Sequence, residues 1–332
     1  MTPAPPRRSD GTIHRTRQRQ PWPEGRPFRI LSIDGGGIRG ILPAAILAQC
    51  EDRFLEGRSV APCFDMIAGT STGGIIALGL GKGMTANEIL KFYLDRGDHV
   101  FPPPAGPVDR ILGKVRRFVR SKHDRRNLEG ELRRVFDDTL FGEATARLVV
   151  PAFEGVHGEP YIFKTPHHPD YKRDGKEKMV AVACATSAAP TFLGTFDLNG
   201  HVMVDGGIWT NNPVMNALVD ALACFEIDRS DVQILSIGCG QARYSISGRQ
   251  KHGGLFDWRG ALEVASRAQS MDALGQAGLL IGRQNLVRLD APESDDLIPM
   301  DDFARASVEL PGMARTIMDG AGDGVRRMFL SK

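Results

Sequence analysis

The segment from Phe64 to Leu78 constrains this chain more than any other. A short apolar stretch runs into a turn of small residues, Gly69-Thr70-Ser71-Thr72-Gly73, and then into an apolar helix. A Gly-x-Ser-x-Gly turn between strand and helix can hold its serine at a sharp, strained elbow. Gly69 and Gly73 remove side chains where strand, turn and helix must approach closely. The Ser71 hydroxyl is then expected at the carboxyl end of a strand beside a helix N-terminus, where developing negative charge is favoured. A serine so placed is a candidate nucleophile for acyl transfer. An ordinary tight turn with a solvated serine shows the same local pattern, so the rest of the chain has to decide.

Two further segments end an apolar strand in glycines. Phe28 to Ile33 leads into Asp34-Gly35-Gly36-Gly37-Ile38-Arg39-Gly40 and a helix from Ala44 to Phe54. Gly35, Gly37 and Gly40 match the G-x-G-x-x-G pattern of a dinucleotide site. That pattern wants an acidic residue about 20 positions on, at the end of a second strand. Glu51 and Asp52 come too early and lie within the helix, so a non-catalytic dinucleotide-binding module using Gly35–Gly40 is the weaker reading. Consecutive glycine amides at a helix N-terminus equally make an anion cradle, and facing a serine that cradle is an oxyanion hole. Arg39 adds a positive charge there, or a structural ion pair. The third segment, His201 to Pro213, carries Asp205-Gly206-Gly207 after an apolar strand. Aspartate before glycine is a common turn former. Ligands in open α/β sheets nevertheless gather at the carboxyl ends of strands, where serine, amide donors and a carboxylate base can converge.

These blocks resemble the signature blocks of patatin-like phospholipases: Asp34 to Gly40, Gly69 to Gly73 and Asp205 to Gly207, with Thr186-Ser187-Ala188-Ala189-Pro190-Thr191-Phe192 similar to a further block. They occur in order and cover most of the chain. The resemblance implies a lipid acyl hydrolase with a Ser–Asp dyad and no histidine. Ser71 is then the nucleophile, Asp205 the general base, and Gly35, Gly36, Gly37, Arg39 and Gly40 the oxyanion loop. Gly69 and Gly73 shape the elbow, and Gly206 and Gly207 belong to the aspartate motif. The implied fold is an α/β three-layer patatin-like sandwich with a mixed, mainly parallel central sheet and helical C-terminal additions. Some bacterial members of this compact form are effectors that a cyclic nucleotide switches on in antiphage defence. The resemblance therefore offers a cyclic dinucleotide as activator and membrane phospholipid as substrate. Basic residues between Arg110 and Arg126, or near Arg283 and Arg288, are candidates to receive its phosphates.

An aspartate in water titrates near ~3.9 and is a poor base at neutral pH. Burial raises that value, so Asp205 is expected in a low-dielectric site, hydrogen-bonded to Ser71. Hydrophobic content of 42% and charged content of 25% fit a globular protein. No apolar run reaches the ~18 residues of a spanning helix. A net charge of +2 gives no reason to expect nucleic acid, and self-association into a homo-oligomer stays open. Five scattered cysteines read as small core residues rather than a disulfide framework, which favours a cytoplasmic protein working transiently at the membrane surface. No cofactor is expected and no metal-ligand cluster is legible; His167 and His168 read as exposed. Residues 1–26, rich in Pro and Arg, read as a disordered basic arm without a signal peptide, leaving 27–332 as one acyl hydrolase domain. From Val108 to Arg126 apolar residues at helical spacing alternate with Arg and Lys, an amphipathic helix that either packs or lies on anionic lipid. Leu262, Ala265, Met271, Leu274, Leu279 and Leu280 are core candidates of a late helix.

The main competitor is a Ser-Asp-His esterase of the α/β-hydrolase type. After Asp205 the sequence offers one histidine, His252, beside Gly253 and Gly254. Substituting His252 by alanine is expected to leave ester hydrolysis nearly unchanged; a loss of several orders of magnitude would establish a triad instead.

Overall fold

The computed structural model describes residues 5–7, 17–102, 123–190, 192–246, 251 and 261–331. Short runs rich in β-branched and aliphatic residues form the strands Phe28–Ile33 (β1), Met66–Gly69 (β2), Arg147–Glu154 (β3), Glu159–Lys164 (β4), Phe196–Leu198 (β5), His201–Asp205 (β6), Val232–Ile237 (β7) and Leu286–Leu289 (β8). They make one sheet in the order β5-β6-β3-β2-β1-β7-β8, with β4 also on β3. The helices among the described residues are Ile41–Phe54 (α1), Thr72–Lys82 (α2), Ala86–Val100 (α3), Arg125–Phe136 (α4), Met179–Thr186 (α5), Val214–Cys224 (α6), Ala261–Ile281 (α7) and Phe303–Val325 (α8). This is the expected mixed, mainly parallel α/β sandwich. None of these helices is long and apolar enough to cross a membrane.

The central strands are apolar on both sides because both faces are covered. Leu31, Ile33, Ile67, Leu148, Val150, Leu235 and Ile237 pack with residues of α1 to α5 and α8. Phe28, Ile30, Met66, Ala68, Val149 and Ile234 pack with α6 and α7 on the other face. The parallel strands end level: Ile33 pairs with both Gly69 and Ile237, and Ile237 with Leu289. The loops that follow therefore share one edge of the sheet.

Strand β3 does something the parallel order alone does not suggest. Val149 pairs with Ala68 of β2 and with Lys164 of β4, while Ala152 pairs with Asp205 of β6 and with Tyr161 of β4. A strand has two edges, so β2 and β6 share the edge opposite β4. Parallel β2 climbs that edge and antiparallel β6 descends it, and their carboxyl ends face each other across Val150 and Pro151. Pro151 suits this gap. Its carbonyl takes the Thr186 hydroxyl at 2.6 Å, and on that same edge its missing N–H deprives no strand of a partner.

Several expectations are corrected here. Residues 17–26 are anchored to the domain at particular points: Gln20 bonds both ways with the 224–226 backbone, and the Trp22 ring packs against Phe28 and Phe225; residues 1–4 and 8–16 of the expected arm lie outside the described residues. His167 and His168 are largely buried, because His167 Nε2 meets Asp220 at 2.7 Å and His168 Nε2 the Gln18 carbonyl at 2.8 Å. In α7, Ala265, Met271 and Leu279 face solvent. The buried face carries Ser270, Ala273, Ala277 and Ile281, because close packing on α6 selects small residues. Residues 108–122 of the basic amphipathic stretch lie outside the described residues, and α4 begins at Arg125 behind the cap Asp124. The cysteines are free, and Cys50, Cys184, Cys224 and Cys239 are buried, as expected.

Arg288 is also reassigned from phosphate binding. It reaches from β8 under the end of β1, where Nη1 and Nη2 meet the Asp34 carboxylate at 3.1 and 2.7 Å. It also holds Ser236 Oγ at 2.8 Å and Asp290 at 2.7 Å. Burial pushes Asp34 up to about 6 against the pull of Arg288, so it is ionised at neutral pH. Removing one member strands a buried charge. Arg288→Met is expected to destabilise the fold by about 3–5 kcal/mol, and adding Asp34→Asn to recover much of it. Urea denaturation of the parent, the single and the double variant checks this.

Candidate active site

Ser71 leaves β2 in a backbone conformation that L-residues seldom adopt, φ 54° and ψ −120°. Such a residue costs about 1–3 kcal/mol and persists only where its surroundings dictate it. Here they do. The first ten residues of α2 are all buried, and the turn is too tight for side chains. A Cβ on Gly69 would stand 2.0 Å from the Gly73 carbonyl oxygen, and one on Gly73 would stand 2.3 Å from that of Ile33. The Ser71 amide donates to Thr186 Oγ1 at 3.0 Å, and the Thr186 hydroxyl in turn donates to the Pro151 carbonyl. Ser71 is the N-cap of α2, yet its side chain makes no capping bond. The hydroxyl is thus half-buried and uncommitted to the helix.

Asp205 closes β6 opposite this elbow and is 5% exposed. The Ser71 hydroxyl is near enough to favour its charged form. Its Oδ1 accepts the Gly207 amide at 2.7 Å. Burial raises the carboxyl to about 6, against the opposing pull of Ser71, the Gly207 amide and the positive charge of Arg125. No histidine is among these groups, and His252 lies outside the described residues. Arg125 itself is turned to the carbonyls of Cys184 and Gly194.

The glycine loop begins against the serine. Gly35 sits against Ser71: a Cβ there would lie 3.3 Å from Ser71 Cβ and 2.6 Å from Asn211 Oδ1. Its amide is already used, donating to the Asn211 carbonyl at 3.1 Å, and Asn211 Nδ2 returns a bond to the Gly35 carbonyl at 3.3 Å. Ile38 donates to Met300 and Arg39 to Gly36. Among the described residues the amides of Gly36 and Gly37 are left without an acceptor. Gly37 to Gly40 form a single short helical turn that runs straight into α1 at Ile41, three residues earlier than the sequence suggests. Arg39 is buried and reaches back to the carbonyls of Gly36 and Gly240 at 3.4 and 3.3 Å. It braces the loop from behind and offers no charge to a ligand. Glu51, considered for a dinucleotide, is buried and accepts the amides of Val60 and Ala86 at 2.9 and 2.8 Å.

The arrangement can therefore present a hydroxyl and a carboxylate of raised basicity together, with a glycine loop against the serine. Thr186, Asn211 and Arg288 position these groups. Thr186 lies in a block whose resemblance was legible, but its partner could not be read from spacing. Away from this site, Glu154, His157 and His201 bring potential ligand atoms within 4.8 Å of one another, as do His167, Asp220 and Cys224. Neither group is announced by spacing, because each is completed by a histidine from a distant part of the chain: His201 beside Glu154 and His157, and His167 beside Asp220 and Cys224 of α6.

The family model described as patatin-like phospholipase matches residues 31–218. A cGAMP-activated phospholipase of Escherichia coli (strain TW11681) is 36% identical over 66% of this chain and 64% of its own length. One of Vibrio cholerae serotype O1 is 34% identical over 79% of this chain and 81% of that protein. Patatin-like protein 2 of Oryza sativa subsp. indica is 33% identical over 69% and 65%. This chain thus spans just under two thirds of the Escherichia coli protein's length. The crystal structure of VipD from Legionella pneumophila aligns over 89% of this chain and 67% of that one, with 13% identity and a TM-score of 0.42.

The raised Asp205 pKa carries a sign for stability. An unfolded aspartate loses its proton near pH ~3.9, the folded one at about 6. Between these values the native state binds more protons, so this group's contribution is present below the lower value and is lost as pH rises through the upper one. Asp205→Asn stays neutral. It should gain up to about 3 kcal/mol relative to the parent as pH rises through this window, and nothing at lower pH. Urea melts on both sides of the window measure the difference.

Proposed function

The chain belongs to the patatin-like phospholipase family, and from that premise we propose that it cleaves acyl esters of membrane phospholipids through Ser71 and Asp205. The observation that carries this reading is a strained, uncommitted serine beside a buried carboxylate whose basicity burial has raised. Ser71 Oγ attacks the ester carbonyl carbon as its proton passes to Asp205. The oxygen that gains charge lies against the Gly36 and Gly37 amides, fixed donors that need no reorganisation. Collapse breaks the ester C–O bond, and the departing lysolipid alkoxide takes the proton from Asp205. Water then adds to the acyl-Ser71 carbonyl, giving its proton to Asp205, and the fatty acid leaves as Ser71 is re-protonated. The enzyme acts transiently at the membrane surface.

We further infer that a cyclic dinucleotide of the cGAMP kind activates it. The support is the similarity to proteins described as cGAMP-activated phospholipases.

A fluorophosphonate probe is expected to label the parent chain and not Ser71→Ala. Asp205→Asn should slow labelling and turnover about 10²–10⁴-fold. The parent's rate on phospholipid vesicles should rise with pH through about 6 and then level, as Asp205 ionises. Labelling that persists in Ser71→Ala assigns the chemistry elsewhere. Fatty-acid release should need cGAMP; full release without it, unchanged on addition, removes the activation.

A further inference from the structure

We propose that Glu154, His157 and His201 form a site for one divalent transition-metal ion of the zinc type. The three residues come from the end of β3, the turn that follows it and the start of β6. The Glu154 carboxylate is held in place by backbone: Oε1 accepts the Val156 amide at 2.8 Å and Oε2 the His157 amide at 2.9 Å. His157 Nδ1 lies 2.7 Å from Oε2. His201 Nδ1 lies 3.5 Å from Oε1. That nitrogen is buried and has no hydrogen-bond partner, although the His201 side chain is only 7% exposed. A buried imidazole nitrogen aimed at a carboxylate without bonding to it is costly unless something else satisfies it.

An ion does so. Ligand atoms about 2.0–2.2 Å from a tetrahedral zinc stand about 3.4 Å apart, and the observed separations straddle that spacing. Two imidazoles and one carboxylate are a donor set that zinc accepts. The His157 side chain, 17% exposed, leaves an approach from solvent for the ion and for a water as fourth ligand.

The second group, His167, Asp220 and Cys224, lacks this feature. Asp220 already takes His167 at 2.7 Å, Lys164 at 2.5 Å and the Tyr171 hydroxyl. Cys224 Sγ meets Tyr171 at 3.3 Å. Its cations are supplied by the protein.

The role follows from placement. His201 opens the strand that Asp205 closes, about 13 Å away at the rise of a β-strand. The ion takes no part in hydrolysis. It ties the foot of β6 to the turn after β3, so that the strand carrying Asp205 is fixed at both ends. Nothing in this assignment depends on the catalytic reading.

The test uses the full chain, free of any affinity tag and stripped with a chelator. Zinc is titrated against a chromophoric competitor. About one equivalent should bind, raising the melting temperature by a few degrees. His201→Ala and Glu154→Gln should each weaken binding by about 100-fold or more and abolish the thermal shift. Cobalt should give the visible absorption of a tetrahedral site in the parent only. His157→Ala, at the more exposed position, serves if the buried variants do not fold. A native-like circular dichroism spectrum and a cooperative thermal melt of each variant show that the fold survives. Absence of binding overturns the proposal, as does zinc binding that all three substitutions leave unchanged.

Discussion

The structure depends on two strands meeting end to end along one edge of a third. β2 and β6 both pair with β3, opposite β4, and run toward each other. The interval on β3 between the partners of Ala68 and Asp205 is three residues, about 10 Å. Into that interval the elbow at Ser71 must fit, together with the Thr186 hydroxyl that bridges Ser71 to Pro151. The turn itself leaves no room for a Cβ on Gly69, against the Gly73 carbonyl, or on Gly73, against the carbonyls of Ile33 and Asp34 at the end of β1. Ser71 in that turn stands at positive φ. Its proximity to Asp205 follows from the way β2 and β6 share one edge of β3.

Electrostatics then divides labour between two buried carboxylates. Burial pushes Asp34 and Asp205 each up to about 6, but their neighbours differ. Asp34 is met in contact by a two-toothed guanidinium, so its charge is fixed and serves to hold the glycine loop at the end of β1. Asp205 has an amide, a hydroxyl and a more distant arginine. Its affinity for a proton is left open to an adjacent hydroxyl. The loop that Asp34 anchors spends the amides of Gly35 and Ile38 on neighbouring carbonyls, and among the described residues those of Gly36 and Gly37 have no acceptor. A metal clamp at the foot of β6 would extend this logic, fixing the strand that carries Asp205 from its other end.

Much of this was legible along the chain. The strands at Phe28, Met66 and Val232 read from their apolar runs, and α3 from its cap, since Thr85 and Glu88 exchange the bonds of a capping box. The order of glycine-rich strand ends pointed to one edge of an α/β sheet. What did not read correctly failed for physical reasons. α7 packs Ser270, Ala273, Ala277 and Ile281, so of the candidates chosen by apolar character Leu280 packs on that core while Ala265, Met271 and Leu279 fall on the exposed side. His167 looks solvated between prolines, but tertiary contacts bury it on Asp220. Arg288 looks like a free cation because Asp34 is at the far end of the sequence, brought beside it only by the order of β1, β7 and β8.

The sequence by itself determined the parts: strand ends that break into glycine, a serine on a turn without bulk, an aspartate before two glycines, and apolar runs suited to a sheet covered on both faces. These are local properties, set by which residues tolerate tight turns and which prefer burial. Only the tertiary structure decided that Ser71 and Asp205 share a site, that Thr186 and Asn211 hold it, and which amides remain unpaired. Those outcomes rest on register and burial between segments far apart in the chain, and neither quantity is encoded within any one of them.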